Sequence, residues 1–294
     1  MLIGLAAMSW GTTGSVTTVL IARDGTHPLV IGAARMLLAA IVLLASARAL
    51  TGPLRIARED RWRCVAMGLS MAVFQAAYFT AVSITGIAVA ALIAICSAPL
   101  MIAALAAAFL GERLTLRVAI ALGVGIVGTA LLIVGPRSGA DLSPRFAAGA
   151  ALALLAGLAY AVSVVITKAA LARTAPLSLA AVSFAVGALA FAPAFATPDA
   201  LRQLAAGWLW LLYLGVVTTG VAYALYTMGL RHVSASVAAV GALLEPLTAT
   251  LLGVLLFGER LGAAGALGAV LLLVALVVLS VPRRLERAAP GPRA

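Results

Sequence analysis

Apolar runs of about 20 residues recur along almost the whole length of this 294-residue chain. A helix needs about 20 mostly apolar residues to cross the hydrocarbon core of a bilayer. Apolar residues make up 64% of the chain and charged residues 10%, against roughly 45–50% and about 25% in soluble proteins. So few charged side chains cannot cover a soluble fold of this size, and disorder requires low hydrophobicity. The sequence therefore predicts an all-α integral membrane protein.

Ten membrane-spanning helices follow from that length rule, and we number them as spans 1 to 10. They are predicted near residues 2–21, 28–48, 63–82, 87–110, 116–135, 146–168, 176–195, 207–229, 235–257 and 262–281. The polar segments between them are too short to form a separate domain. We therefore expect two five-span halves, residues 1–137 and 146–281, and a polar tail, residues 282–294.

Basic residues are divided unequally between the two sides of the predicted membrane protein. With the N-terminus in the cytoplasm, 14 of the 20 Lys and Arg lie on the cytoplasmic side, five lie outside, and Arg35 lies within span 2. Lys and Arg concentrate in cytoplasmic loops, so we expect both termini in the cytoplasm and a bacterial inner membrane location. The net charge of +11 is spread over short loops and forms no patch for nucleic acid.

The two halves carry matching motifs. Pro99 and Pro246 are 147 residues apart, and Gly-Glu-Arg-Leu occurs at both 111–114 and 258–261. A fixed period indicates internal repeats, and because each half has five spans, the second must enter the membrane in the opposite orientation. Inverted repeats of this kind hold their substrate in a central cavity between the repeats, near the midplane, where helices are interrupted. Pro99 and Pro246 are the predicted helix kinks.

These motifs are similar to those of the drug/metabolite transporter superfamily, in its ten-helix EamA-type branch. The residues that carry the likeness are Trp10-Gly11-Thr12, Arg35, Cys96-Ser97-Ala98-Pro99 followed by Gly111-Glu112-Arg113, and Leu244-Glu245-Pro246 followed by Gly258-Glu259-Arg260. The likeness covers nearly the whole chain, and the YddG-type amino acid exporters are the nearest relatives it suggests. It implies that spans 1–4 and 6–9 surround a central cavity, with spans 5 and 10 outside.

Two ionisable residues lie inside predicted spans. Glu245 is about ten residues into span 9, where a charged carboxylate costs at least about 2.5 kcal/mol. In the first interpretation, Glu245 lines the cavity as a proton site or as a contact for a substrate amine. In the second, it is a protonated carboxyl that donates a hydrogen bond to the backbone carbonyl that Pro246 leaves without a donor. Ionisable residues inside membranes default to function, which favours the first interpretation. Arg35 could pair with Glu245 or bind the carboxylate of a substrate. Alternatively, it braces neighbouring helices or extends its side chain to the interface.

Aromatic and hydroxyl side chains recur at helical spacing on spans 1, 3, 6 and 8. Polar side chains on such stripes turn away from lipid, although many only form bonds between helices. A cavity with aromatic walls and few charges suits a small zwitterion or amphiphile better than a phosphate ester, which requires several basic residues. The candidate cavity residues are Trp10, Thr13, Gln75, Tyr78, Tyr160, Ser163, Tyr223, Tyr226 and Glu245.

Two glycine motifs are expected to be structural. Residues 123–128, Gly-Val-Gly-Ile-Val-Gly, match a dinucleotide-binding fingerprint, but that motif requires a preceding strand and this one lies within span 5. Its glycines, like Gly262, Gly265 and Gly268 in span 10, are expected to allow close helix packing. The two Gly-Glu-Arg motifs are predicted helix ends with glycine past the last turn and charges at the interface; a gating role is the less favoured alternative.

The sequence thus predicts a secondary transporter of small metabolites by alternating access, with export of neutral or aromatic amino acids as the leading function. Efflux of cationic drugs or other amphiphiles is the alternative, although related four-helix proteins place their acid in the first span, where this chain has Trp10. An intramembrane enzyme is least expected, because His-Glu-x-x-His and Gly-x-Ser-x-Gly motifs are absent. We expect no cofactor and no metal, a small-molecule substrate, and a functional monomer in the bilayer.

Overall fold

The computed structural model describes residues 1–134, 143–257 and 262–280. Regular structure in these ranges is entirely helical. Eight helical segments there are long and apolar enough to cross a membrane, and two shorter apolar helices correspond to spans 5 and 10. The prediction of an all-α membrane protein with ten spans is therefore confirmed. The second Gly-Glu-Arg motif, at 258–260, and the tail, residues 282–294, lie outside the described residues.

Seven spans are single helices whose ends lie within a few residues of the predicted ones. They are Pro28–Thr51 (span 2), Arg61–Thr85 (span 3), Ile87–Leu110 (span 4), Leu116–Val134 (span 5), Pro144–Ala170 (span 6), Pro176–Phe191 (span 7) and Ala263–Ser280 (span 10). Spans 2, 6 and 7 begin with proline, whose missing N–H would have no helical partner at that position. A short helix, Ala200–Ala206, that the sequence did not predict precedes span 8.

Spans 1, 8 and 9 are interrupted. Span 1 comprises Leu2–Gly11 and Thr13–Asp24, span 8 comprises Trp208–Gly215, the π-helical segment Val216–Val221 and Ala222–Leu230, and span 9 comprises Ala235–Ala242 and Leu244–Phe257. Irregular backbone at membrane depth is tolerated only where protein or a water-filled cavity surrounds it, and π-helical turns occur frequently at functional sites. The interruptions therefore mark the part of the protein where a binding site is expected.

The two prolines at matched positions have different effects on their helices. Span 9 is broken at Leu243, three residues before Pro246, whereas span 4 continues as one helix through Pro99. A proline removes one helical hydrogen bond, and close packing around span 4 supports the remaining turns. A Cβ on Gly157 of span 6 would lie 2.6 Å from Ser97 Oγ. A break in the helix is thus found at only one of the two expected positions.

The packing of the spans is nearly unchanged when each span is exchanged with the one five places later. Span 3 packs on spans 6 and 7, as span 8 packs on spans 1 and 2. Span 4 contacts span 6, as span 9 contacts span 1, and spans 2 and 7 pair with each other, as do spans 5 and 10. Two structural repeats produce this pseudosymmetry. The pair of spans 5 and 10 lies against spans 4 and 9, beside the other eight.

Two glycines of span 5 allow close helix packing. A Cβ on Gly128 would lie 2.8 Å from the backbone oxygen of Gly268 in span 10, and a Cβ on Gly125 would overlap a side chain of span 9. Gly123 and Gly262 have no such neighbour within 4 Å. The packing interpretation is therefore confirmed for Gly125 and Gly128, and it is wrong for Gly123 and Gly262.

Charged side chains join the two repeats at one end of the bundle, which we call the arginine-rich face; it carries the loops between spans 2 and 3, 4 and 5, 6 and 7, and 8 and 9. Asp60, before span 3, has no exposed surface. Its carboxylate accepts hydrogen bonds from Arg63, from Arg173 Nη2 at 2.8 Å and from Thr174 Oγ1 at 2.8 Å. Arg173 and Thr174 precede span 7, so this carboxylate connects the repeats.

Glu112 makes a second connection at the arginine-rich face. It follows Gly111, whose φ of +64° ends span 4 in the left-handed region, as predicted for a helix-end glycine. The Glu112 carboxylate accepts from Ala235 N at 2.7 Å and from Ser236 N at 3.2 Å, the first backbone donors of span 9. A carboxylate at a helix N-terminus is favoured by the helix dipole. Glu112 thus caps a helix of the other repeat, beyond the interfacial anchoring that the sequence predicted.

Candidate functional site

Aromatic rings from spans 1, 6 and 8 form a cluster in the interior of the bundle. The ring of Trp10 lies 5.1 Å from that of Tyr223, 5.2 Å from that of Tyr226 and 6.4 Å from that of Tyr160, measured between centroids. These separations and the tilted or edge-on orientations are those of favourable aromatic pairs. Three of the predicted cavity residues are therefore in contact with a fourth, Trp10.

Two phenylalanines that the sequence analysis missed extend this cluster. Phe74 of span 3 lies 5.7 Å from Tyr160 and 5.8 Å from Tyr78, and so connects Tyr78 to the other rings. Phe184 of span 7 lies 4.7 Å from Tyr223. Neither has a polar group that would have singled it out, but Phe74 is one helical turn before Tyr78, and that spacing could have identified it. We call these two phenylalanines, together with Trp10, Tyr78, Tyr160, Tyr223 and Tyr226, the aromatic cluster.

Several polar atoms in and beside the aromatic cluster are buried without a hydrogen-bond partner among the described residues. They are Trp10 Nε1, Thr13 Oγ1 and Thr227 Oγ1, whereas the buried hydroxyls of Tyr160 and Tyr226 lie within hydrogen-bonding reach of each other. Leaving a buried donor or acceptor unsatisfied costs about 1–3 kcal/mol, and proteins satisfy nearly all such groups with protein or ordered water. Three unsatisfied groups in one region indicate a place where polar groups of a ligand or water bind.

A small cavity adjoins these groups. Its volume is about 10 Å³, and its lining consists of Met67, Tyr160, Ser163, Val164, Thr167, Tyr223, Tyr226 and Thr227. A space of this size holds about one water molecule. The site is therefore closed in this structure, and a metabolite requires the surrounding spans to separate.

Arg35 lies deep in the bundle, with 9% of its surface exposed. Its Nε donates to Thr219 Oγ1 at 3.1 Å. Thr219 lies in the π-helical part of span 8 and donates in turn to the backbone oxygen of Leu214, five residues earlier. Arg35 therefore braces span 2 against span 8 and does not extend to the interface. No described residue accepts a hydrogen bond from its two Nη atoms, which remain available to a ligand.

Glu245 is partly buried in the first turn of the second helix of span 9. It lies within electrostatic range of Arg35, Tyr78 and Tyr223. No ion pair joins Glu245 to Arg35 in the described part of the chain. The site thus contains one guanidinium and one carboxyl group that lie within electrostatic range of each other but are not in direct contact.

The interruption of span 1 packs directly on that of span 9. A Cβ on Gly11 would lie 2.7 Å from the backbone oxygen of Glu245 and 3.0 Å from the nitrogen of Ala249, so only glycine allows this approach. Beside it, Thr12 Oγ1 is 2.8 Å from the hydroxyl of Tyr213 in span 8. Each residue of the Trp10-Gly11-Thr12 run therefore has its own structural role. Trp10 contributes a ring to the aromatic cluster, Gly11 allows the close contact with span 9, and Thr12 forms a hydrogen bond to the other repeat.

The remaining predicted residues are less closely connected to the site. Ser163 lines the small cavity and donates to the backbone oxygen of Tyr160 at 2.7 Å. Thr13 is the first residue of the second helix of span 1, where it follows the interruption. Gln75 is buried next to Phe74 on span 3. Like Trp10, Thr13, Tyr78 and Glu245, it does not line the small cavity.

Comparison with known proteins identifies relatives over the whole chain. The model of the EamA-like transporter family matches residues 1–134 and again residues 147–281. The chain is 34% identical to the uncharacterized transporter YwfM of Bacillus subtilis, over 97% of this chain and 94% of that protein. It is 30% identical to an uncharacterized transporter of Archaeoglobus fulgidus, over 71% of this chain and 74% of that protein.

A solved crystal structure has the same fold, with a TM-score of 0.79 and 22% identity over 95% of each chain. The ten helices, their pseudosymmetric packing and a family match in each half agree with one another. The prediction of a membrane transporter instead of an enzyme is confirmed. The chain belongs to the EamA-like transporter family.

Proposed function

We propose that this transporter moves small zwitterionic metabolites, above all neutral or aromatic amino acids, out of the cell by alternating access. The observation that carries the proposal is the pair of oppositely charged groups, Arg35 and Glu245. Both lie within electrostatic range of Tyr78 and Tyr223 of the aromatic cluster, and among the described residues no ion pair joins them. A zwitterion supplies a partner to each of them. The indole N–H of Trp10, which has no hydrogen-bond partner among the described residues, supplies a further bond in the same region.

The two charges distinguish a zwitterion from a simple cation. A guanidinium binds a carboxylate through two parallel N–H bonds, and the Nη atoms of Arg35 are available for this. A substrate ammonium is attracted both by the Glu245 carboxylate and by the faces of the Trp10 and Tyr223 rings. A cationic drug would satisfy Glu245 and leave the buried charge of Arg35 without a partner, which is costly in low dielectric. Arg35 therefore favours an amino acid over the cationic-drug alternative.

Transport requires the closed site to open at each face in turn. The charged contacts of Asp60 and Glu112 hold the repeats together at the arginine-rich face, which the positive-inside rule assigns to the cytoplasm. The interruptions in spans 1, 8 and 9 are suitable hinges, since discontinuous helices line the substrate sites of inverted-repeat transporters. We place the protein in the bacterial inner membrane as a monomer with both termini in the cytoplasm, and export follows the resemblance to amino acid exporters.

Counterflow in proteoliposomes tests the substrate class. We expect labelled phenylalanine or leucine to exchange saturably, and phenylalanine to compete far better than phenethylamine, which lacks the carboxylate, or N-acetylphenylalanine, which lacks the ammonium. Equal transport of phenethylamine would favour efflux of organic cations. No exchange of any amino acid by protein that is folded and inserted would refute the proposal.

Variants identify the charge that reads each end of the substrate. Arg35→Gln should reduce competition by phenylalanine and leave competition by phenethylamine nearly unchanged, because only the carboxylate loses its partner. Arg202→Gln is the matched control, since Arg202 is an exposed arginine in the short helix before span 8, away from the site. An equal loss for both competitors would mean that Arg35 only braces spans 2 and 8.

A further inference from the structure

A second, larger cavity opens at the arginine-rich face and shares no lining residue with the small cavity. Its volume is about 430 Å³, and it is lined by Leu54, Arg55, Ile56, Arg61, Cys64 and Val182. These residues belong to the loop between spans 2 and 3, the first turn of span 3, and span 7. The lining therefore combines two guanidinium groups with an apolar wall, and none of it contributes to the site described above.

The two arginines of this cavity have no ion-pair partner among the residues that the structure describes. Arg55 and Arg61 are exposed, and in the described ranges neither is bonded to a carboxylate. The neighbouring carboxylate of Asp60 is occupied by Arg63 and Arg173. Two unpaired guanidinium groups at the mouth of one cavity form a site for an anion, and their fork-shaped donors match a phosphate group.

An exposed apolar stripe begins beside the cavity and follows span 3 into the membrane. Trp62 is 60% exposed, Val65 45% and Leu69 46%, and their spacing of three and four residues places them on one face of the helix. In a bilayer that face contacts acyl chains. Tryptophan concentrates at the level of the lipid headgroups, so Trp62 places the adjacent Arg61 at that level too.

We propose that this cavity binds the headgroup of an anionic phospholipid whose acyl chains lie along the stripe of Trp62, Val65 and Leu69. Basic pockets between membrane helices are sites for anionic headgroups, and Arg55 and Arg61 are placed to hold the phosphate. A zwitterionic lipid carries its own ammonium group, which the same arginines repel. A free phosphate would gain the arginine contacts only, because the apolar stripe offers it nothing.

The test measures lipid binding by the full-length purified protein in a neutral detergent. Phosphatidylglycerol should raise the melting temperature and be retained in native mass spectra, whereas phosphatidylcholine and glycerol phosphate at equal concentration should not. Arg55→Gln and Arg61→Gln should each weaken phosphatidylglycerol binding about fivefold, from the contribution of one basic residue near an anionic headgroup. Both side chains are exposed, so the lipid-free melting temperature should not change.

Arg58→Gln is the matched control, because Arg58 is exposed in the same segment but does not line the cavity. It should bind phosphatidylglycerol as the unchanged protein does. Equal stabilisation by phosphatidylcholine, equal stabilisation by glycerol phosphate, or unchanged binding by the Arg55→Gln, Arg61→Gln double variant would each overturn the proposal.

Discussion

Asp60→Asn is the substitution that most directly tests how the arginine-rich face is held closed. The Asp60 carboxylate is fully buried and accepts bonds from Arg63, Arg173 and Thr174. Breaking a buried ion pair by removing one partner costs about 3–5 kcal/mol. The Arg63 and Arg173 side chains are 23% and 44% exposed, so water compensates part of that loss. We therefore expect the closed state to lose about 2–3 kcal/mol.

That loss predicts a measurable change in access to the site. The bonds from Arg173 and Thr174 join the two repeats, so a state open at this face does not contain them. Its population relative to the closed state should rise by up to about 30- to 150-fold, at 1.4 kcal/mol per factor of ten. Thr167 lines the small cavity. A Thr167→Cys reporter, in a variant without Cys64 and Cys96, should react faster with a membrane-impermeant maleimide added from the cytoplasmic side.

Two results would refute this reasoning about Asp60. Unchanged melting and unchanged labelling would show that the carboxylate contributes little to the closed state. A lower melting temperature with unchanged labelling would show that Asp60 supports the fold without controlling access. Arg173→Gln is the control: Arg63 and Thr174 still hold the carboxylate, so its effect on labelling should be smaller.

Three further predictions concern the site and the topology. Gly11→Ala should destabilise the protein by about 1–3 kcal/mol through overpacking, and so lower both its melting temperature and its transport rate. Gly14→Ala is the control, because a Cβ there has nothing within 4 Å. Similar melting temperatures for the two variants would contradict the close contact at Gly11. Alanine at Trp10, Tyr78 or Tyr223 should change substrate preference in counterflow while the protein remains inserted, and three unchanged profiles would make the rings packing residues. Single cysteines at Arg113 should be labelled only from the cytoplasm and those at Arg202 only from outside, and labelling of both from one side would disprove the assigned orientation.

The positions of the spans and the identity of the aromatic residues could be read from the sequence because both depend on local properties. Span lengths follow from the bilayer thickness, and spans 2 and 7 begin at prolines that are tolerated there. The stripes that contain Tyr160, Tyr223 and Tyr226 follow from helical spacing. Their convergence on Trp10 required only that polar groups on these spans avoid lipid.

The interruptions and the burial of Asp60 could not be predicted because distant contacts determine them. Span 1 is interrupted where Gly11 meets span 9, a contact between residues more than 200 positions apart. Asp60 follows an arginine-rich segment, and its burial depends on Thr174 of the other repeat. Arg35 was ambiguous for the same reason, since its partner Thr219 lies in a π-helical turn that has no clear sequence signature.

The scaffold is duplicated while the chemistry of the site is not, and this difference bears on mechanism. Gly11 lets span 1 approach span 9, and Gly157 lets span 6 approach span 4 in the same way, so this close helix contact exists in both repeats. The carboxyl of Glu245 has Ala98 as its repeat counterpart.

Two symmetric halves can exchange which face is open, while a single charged site stays bound to the same end of the substrate throughout. Glu245→Gln separates these roles. It preserves the shape of the site and a hydrogen-bonding group beside Pro246, so the scaffold and its melting temperature should remain nearly unchanged. Transport should fall sharply or lose its pH dependence, because glutamine cannot ionise. Normal flux at every pH would assign Glu245 to the scaffold and leave substrate recognition to Arg35 and the aromatic cluster.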